Sequence, residues 1–263
     1  ELGDGKYSTE TDWDDDSRIS PHPVKVVGEH KFSKIDIGGS NSCAIETSGE
    51  LYCWGWNLFG ALGVGRDDSD YAADGNTFVG GGFKMSSTPM RVSIPGTVQV
   101  TDISIGGYFA CAITSTGSVW CWGENEYGKL GDGTEEDSNS PVRVEIPSSL
   151  TAISISAGQH KACAVLGDKN AYCWGSYSSF EPFRSYDDEV DYRVNPELVE
   201  VPGGREVSSI SAGGEHSCLT TIDGLVYCWG NGESGAIGDG AKVDRFTPTK
   251  AQLPSNQFAI SVE

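Results

Sequence analysis

Thiols are the side chains of this sequence whose type and spacing could do chemistry, as metal ligands, redox pairs or cross-links. Eight cysteines fall into four pairs: Cys43 and Cys53, Cys111 and Cys121, Cys163 and Cys173, and Cys218 and Cys228, the members of each standing ten positions apart. Structural zinc sites draw ligands from tight C-x-x-C knuckles, and neither a knuckle nor a histidine at ligand spacing accompanies these pairs. A hairpin accounts for the gap. In CAITSTGSVWC, residues 111–121, Cys111, Ile113, Val119 and Cys121 alternate with Ala112 and Trp120, the period of two that a strand requires. A three-residue loop at Ser115, Thr116 and Gly117, with Gly117 left-handed, pairs Thr114 with Ser118, Ile113 with Val119 and Cys111 with Cys121. Cysteines opposed across antiparallel strands hold their Cβ atoms at bridging distance. Each bridge closes a short loop and contributes roughly 2.5 to 3 kcal/mol in the chain-entropy picture. Four bridges with no cysteine left over point to an oxidising compartment, so the chain is expected to be secreted or displayed at the cell surface.

Carboxylates are the second candidates. Asp67, Asp68, Asp70 and Asp74 crowd the stretch RDDSDYAADGNTFVGGGFKM at 66–85, and such groups supply the hard oxygens that calcium takes. They match no dedicated calcium loop, so a solvated acidic loop is the leading reading and calcium the alternative; the runs at 12–16 and 187–191 are read alike. Asp4, Asp132 and Asp239 recur within L/I-G-D-G, where an aspartate between glycines bonds its own backbone in a turn. His216 stands two residues before a cysteine, but Asn41, Phe109 and Lys161 fill that slot elsewhere, so no ring of imidazoles repeats. No serine, histidine and aspartate triad can be assembled, and the chain is expected to be neither an enzyme nor the holder of an organic cofactor.

The elements that must position these residues follow from repetition. Upstream of each pair lies a strand pattern ending in glycine: IDIGG at 35–39, ISIGG at 103–107, ISISAG at 153–158 and ISAGG at 210–214. Downstream come Trp54-Gly55, Trp122-Gly123, Trp174-Gly175 and Trp229-Gly230, then Leu62-Gly63, Leu130-Gly131 and Ile237-Gly238, then a proline-led strand such as PVRVEIP at 141–147. Four short strands per unit, separated by glycine turns with a period near fifty residues, mark an all-β fold, a β-propeller of four-stranded antiparallel blades. The units run 31–98, 99–149, 150–204 and 205–256, with partial copies at 1–30 and 257–263, about five repeats in one domain over 1–263 that is expected to be a propeller or part of a larger ring. At 263 residues the chain can bury a real core, and its net charge of -20 disfavours nucleic acid and anionic membrane surfaces as partners. No apolar run is long enough to insert into a membrane as a helix.

The order I-S-A-G-x-x-H-S-C, then G-x-V-Y-C-W-G-x-N-x-x-G-x-L-G-D-G, then P-x-x-V resembles the repeat of the regulator of chromosome condensation family, over nearly the whole chain. The resemblance implies a β-propeller with four-stranded antiparallel blades around a central axis. Two cysteines per blade are similar to the extracellular branch of the family, in which the repeat serves binding or assembly and carries no catalytic set of its own. The exchange activity of the nuclear member is not implied, because disulfide clamps would not be maintained beside its intracellular partner. The G-W-R-H-T motif of the plant ultraviolet photoreceptor does not occur, and the tryptophans of C-W-G are expected to pack between blades.

Departures from the repeat are where specific function is expected. First cysteines are spaced 68, 52 and 55 residues apart, the first interval being long because of the insert at 66–85. The third copy loses L-G-D-G and carries SYSSFEPFRSYDDEVDYRVN at 176–195 instead. Tyr71, Phe78, Phe180, Phe183, Tyr186 and Tyr192 in these two stretches are aromatic anchors amid charge, candidates for an interaction surface. The leading expectation is a secreted structural or protein-interaction module of an extracellular assembly, fibre, surface layer or adhesin, whose partners are other protein chains or copies of itself. The alternative is a ligand-binding module, a lectin for a glycan or a protein inhibitor, using the acidic aromatic loops. Residues 1–5 match 129–133 and residues 259–263 match the strand before a cysteine pair, so the ends are expected to be pieces of one blade that lacks a hairpin of roughly 25 residues. A longer propeller, a missing section or a strand lent by another chain would each account for that.

Overall fold

Among the described residues, alternation around each cysteine pair produces sixteen strands in four antiparallel sheets. The computed structural model describes residues 22–65, 85–96, 98–147, 149–176, 192–255 and 257–262. The first sheet holds β1 (Phe32–Gly38), β2 (Asn41–Glu46), β3 (Leu51–Trp56) and β4 (Met85–Val92). The second holds β5 (Val100–Ile105), β6 (Phe109–Thr114), β7 (Val119–Gly123) and β8 (Ser138–Arg143). The third holds β9 (Ala152–Ala157), β10 (Lys161–Leu166), β11 (Ala171–Ser176) and β12 (Tyr192–Leu198), and the fourth β13 (Val207–Ala212), β14 (His216–Thr221), β15 (Val226–Gly230) and β16 (Arg245–Lys250). Within every sheet the strands neighbour one another in chain order, which is the meander of a propeller blade. Among the described residues no helix is long and apolar enough to cross a membrane.

The hairpin at the centre of each blade sets the register. Cys111 lies opposite Cys121, and the Thr114 N–H donates to the Ser118 carbonyl at 3.0 Å around Gly117, whose φ is +75°. The same opposition holds in the other three blades, and all four pairs are closed as disulfides. The fourth strand begins earlier than the proline-led pattern suggests: β8 starts at Ser138, and Pro141 lies within it. Pro89, Pro196 and Pro248 sit alike in β4, β12 and β16, all outer strands of their sheets. A proline without an N–H is tolerated there because an edge strand has only one hydrogen-bonded neighbour.

Blades pack through their first strands, with β1 against β5, β5 against β9 and β9 against β13. The glycine closing each of these strands is a close approach. A Cβ on Gly38 would stand 2.5 Å from the Ile105 carbonyl oxygen, one on Gly106 2.3 Å from that of Gly158, and one on Gly158 2.2 Å from that of Gly213. Backbone hydrogen bonds cross the same line: the Asp36 carboxylate accepts from the Ile105 N–H at 2.7 Å, Ser104 Oγ from Ala157 at 3.0 Å, and Ser156 Oγ from Ala212 at 2.9 Å. The apolar core therefore lies in the seams between blades. Cys43, Cys53, Ile45, Leu51 and Leu62 of the first blade pack on Ile103, Ile105 and Trp122 of the second, and the next two seams repeat the scheme. In the first three blades the disulfide faces the blade that follows, and in the second, third and fourth the tryptophan faces the blade before.

Candidate functional site

Asparagine builds the rim of the first two seams. Asn57 Oδ1 accepts from the Leu62 N–H at 3.0 Å and Asn125 Oδ1 from the Leu130 N–H at 2.9 Å, pinning a turn of 3-10 helix at Leu58–Gly60 and another at Glu126–Gly128. The middle residue of each turn is left-handed although it is bulky, Phe59 at φ +56° and Tyr127 at φ +65°. Each projects a ring toward the next blade: Phe59 lies 5.8 Å from Tyr108, and Tyr127 lies 6.1 Å from His160 and 6.2 Å from Tyr192. Beneath the rim the L-G step receives the next blade's tryptophan. Trp122 Nε1 donates to the Ala61 carbonyl at 3.1 Å and Trp174 Nε1 to the Lys129 carbonyl at 2.9 Å. A Cβ on Gly63 or Gly131 would come within 2.6 or 2.7 Å of those indoles, which is why glycine follows leucine there.

The third seam is built differently, because the third copy has no L-G step. Trp229 finds no such carbonyl among the described residues. Phe246 of β16 is 80% exposed, whereas its counterparts Asn139 and Val194 lie against Gly60 and Gly128 of the preceding turns. Among the described residues none stands in the place that Leu62 and Leu130 fill, and a small cavity remains, lined by Lys161, the Cys163–Cys173 disulfide, Trp174, Ser176, Ser217 and Trp229. Lys161 is 7% exposed, and burial pushes its amine down to about 8 against the opposing charge of Glu215. The hydroxyl of Ser217 is buried there without a hydrogen-bond partner among the described residues. In the second seam another buried lysine, Lys129, is matched: its Nζ pairs with Glu124 at 2.5 Å and lies 5.7 Å from the centre of the Phe109 ring.

Of the aromatic residues singled out by sequence, Tyr192 joins the rim beside Tyr127, its phenol held above the usual range by a hydrogen bond to Glu135. Tyr71, Phe78, Phe180, Phe183 and Tyr186, and the carboxylates Asp67, Asp68, Asp70 and Asp74, lie outside the described residues. Among the described residues no group of three histidine, cysteine or acidic side chains is placed to hold a metal ion. Of the aspartates of L/I-G-D-G, Asp4 lies outside the described residues and the other two serve their turns. Asp132 Oδ1 accepts from the Thr134 N–H at 3.1 Å, and Asp239 accepts from the Ala241 N–H at 2.9 Å and Arg245 Nε at 2.7 Å, which holds its carboxyl below the usual range. Sequence reasoning passed over Phe59, Tyr127, Lys129 and Lys161. The signal for Lys161 was a lysine in the slot two before a cysteine that phenylalanine occupies in the second copy.

Comparison with known proteins places this geometry. Residues 3–263 match the RCC1-like domain. The ultraviolet-B receptor UVR8 of Arabidopsis thaliana is 28% identical over 252 residues, 95% of this chain and 52% of that protein. The E3 ubiquitin-protein ligase HERC2 of Mus musculus is 30% identical over 233 residues, 88% of this chain but 4% of the ligase. The chain thus spans about half of the plant relative and a small part of the mouse one. Among solved structures, human WBSCR16 superposes with a TM-score of 0.71 at 20% identity over 89% of this chain and 56% of that one. Yeast Prp20p superposes with a TM-score of 0.54 at 20% identity over 86% and 64%. These two likenesses concern the fold.

Proposed function

Because the chain belongs to the RCC1-like domain family, we propose that it is a non-catalytic protein-interaction module, secreted or displayed at the cell surface within an extracellular assembly. Its contact face is the aromatic rim of the blade seams. The observation that carries this reading is the left-handed backbone of Phe59 and Tyr127. A bulky residue in that conformation is disfavoured by about 1 to 2 kcal/mol, and such strain persists where the ring has a use; Phe59 is exposed and Tyr127 half-buried. Aromatic side chains offer large contact area at little conformational entropy, as protein interfaces require. Four closed disulfides and no free cysteine support an oxidising compartment. The receptor and ligase activities in the names of the plant and mouse relatives belong to proteins of which this chain spans only a part.

Two measurements test the reading. Trapping free thiols in protein taken directly from its native source should label none of the eight cysteines; reduced pairs would sink the extracellular assignment. Native mass spectrometry and glycan arrays should then find a protein partner or copies of the chain itself, with capture lost in Phe59→Gly/Tyr127→Gly. Glycine suits the left-handed turn, so thermal stability should stay within about 1 kcal/mol while binding disappears. Glycan binding that survives the double variant would favour a lectin instead.

A further inference from the structure

The fourth blade departs from the first two just after its tryptophan. There the asparagine that pins the rim, Asn57 or Asn125, stands three residues beyond the tryptophan; the fourth blade has Gly232 in that place, preceded by Asn231 where the second blade has Glu124. Hydrogen bonds confirm the correspondence. The N–H groups of Glu124 and Asn231 donate to the carbonyls of Tyr108 and Glu215, and those of Asn125 and Gly232 donate to the carboxylates of Asp137 and Asp244. A side chain has no room at 232, because a Cβ there would stand 1.9 Å from the Val243 carbonyl oxygen. The exchange creates the single Asn-Gly step of the sequence.

A glycine nitrogen carries no Cβ beside it to hinder attack on the amide carbon of the asparagine before it. Three groups are set for that attack. Asn231 Oδ1 accepts from the Glu233 N–H at 3.0 Å, an Asx turn that curls the amide carbon Cγ back toward the Gly232 nitrogen. The same hydrogen bond polarises the amide and meets the oxyanion that attack generates. The Gly232 N–H points at Asp244 Oδ1, 2.9 Å away, within the reach that a general base requires. In the second blade Asp137 faces the N–H of Asn125 in the same way, but the residue before it is Glu124, which is paired with Lys129 and has no amide to lose. We propose that the Asn231 to Gly232 step is a self-processing site, at which the fourth blade deamidates its own asparagine with Asp244 as general base. The Gly232 nitrogen bonds to Cγ as its proton passes to the Asp244 carboxylate. The bond from Cγ to Nδ2 then breaks, the proton goes to the departing nitrogen, and ammonia leaves behind a succinimide ring. Water opens the ring at either carbonyl, giving aspartate or isoaspartate, and the balance needs nothing else. The product places a carboxylate where the second blade carries Glu124. As isoaspartate it also lengthens the backbone by one atom, beside the turn that the Gly235 N–H closes on the Gly232 carbonyl.

The full chain incubated at neutral pH, then digested and mapped by mass spectrometry, should accumulate aspartate and isoaspartate at position 231 and release an equal amount of ammonia. Asn125, wholly buried and followed by glutamate, should stay intact and serves as the internal reference. Conversion should run about tenfold faster in the folded protein than in the same chain unfolded in urea, since only the fold supplies the oriented base and donor. Asp244→Asn keeps an oxygen to accept from the Gly232 N–H, so the turn should persist, but it removes the base and should slow conversion in the folded protein by about tenfold or more. A folded wild-type protein that converts no faster than the unfolded chain, or a folded Asp244→Asn variant that converts at the wild-type rate, would overturn the proposal.

Discussion

Two lysines among the described residues are almost wholly buried, and their neighbours give them opposite fates. Lys129 has Glu124 for an ion pair; Lys161 has none among the described residues, and burial lowers its amine from 10.5 to about 8. The sign of the consequence follows from proton binding. Between those two values the unfolded chain holds the proton that the folded chain has released, so stability rises with pH across the window. The penalty is present in full below about 8 and is relieved toward 10.5, with a size of about 3 kcal/mol. Urea unfolding should give wild-type protein a steeper gain between pH 8 and 10 than Lys161→Met. Parallel curves for the two proteins would mean that Lys161 reaches solvent. Histidine and aspartate, the residue types that most often transfer protons or bind metals, do less: Asp132 and Asp239 commit their oxygens to turns.

At the scale of elements, the glycine that ends each first strand is a contact surface rather than a hinge. Gly158 has an ordinary backbone, yet a Cβ there would stand 2.2 Å from the Gly213 carbonyl, and no rotamer relieves a clash with backbone. Gly158→Ala should therefore force β9 away from β13 and lose about 3 kcal/mol or more. Gly204 is the control. Its φ is +60° but nothing lies within 4 Å, so Gly204→Ala meets only the left-handed backbone strain, about 1 kcal/mol. Urea midpoints of the two variants should separate clearly; equal losses would mean that blades can part at the axis without harm. The 3-10 turns make the converse point, since the asparagine that pins them lets a phenylalanine or tyrosine occupy a position that glycine would fit better.

Across the whole molecule, each disulfide is both a clamp on its own hairpin and part of the wall that the next blade packs against. Cys111 and Cys121 lie in the core shared with Ala162, Ala164 and Trp174, whereas Cys218 is half-buried in a smaller cluster with Ile237 and Ala251. Replacing both members by alanine should lose roughly 3 kcal/mol from loop closure at either place, and more at Cys111 and Cys121 because a cavity opens in the seam. Non-reducing peptide mapping should return only the within-blade pairs; a Cys53 to Cys111 link would defeat the register. Exposed apolar residues mark the outer face of the first blade. Ile35 and Ile37 are 58% and 71% exposed, while Ile103, Ile105, Ile155 and Ile210 at equivalent places in later blades are buried by a preceding one.

How much of this could be read from the chain follows from the range of the forces involved. A cysteine pair ten residues apart, a glycine in a three-residue loop and a period of two are local facts, and together they determined the hairpins, their disulfides and the four-stranded blade. The repeat then determined that blades pack in series, because each must bury a disulfide wall and a tryptophan. The outer strand was placed less well: Pro141 reads as a start by itself, and only pairing with β7 shows that an edge strand can contain it. The site in the third seam was not legible at all. Its cavity is lined by Lys161 and Ser176 of one blade and Ser217 and Trp229 of the next. Those residues are far apart in sequence and meet only when β10, β11, β14 and β15 are stacked, so tertiary packing alone decided that Lys161 would be buried.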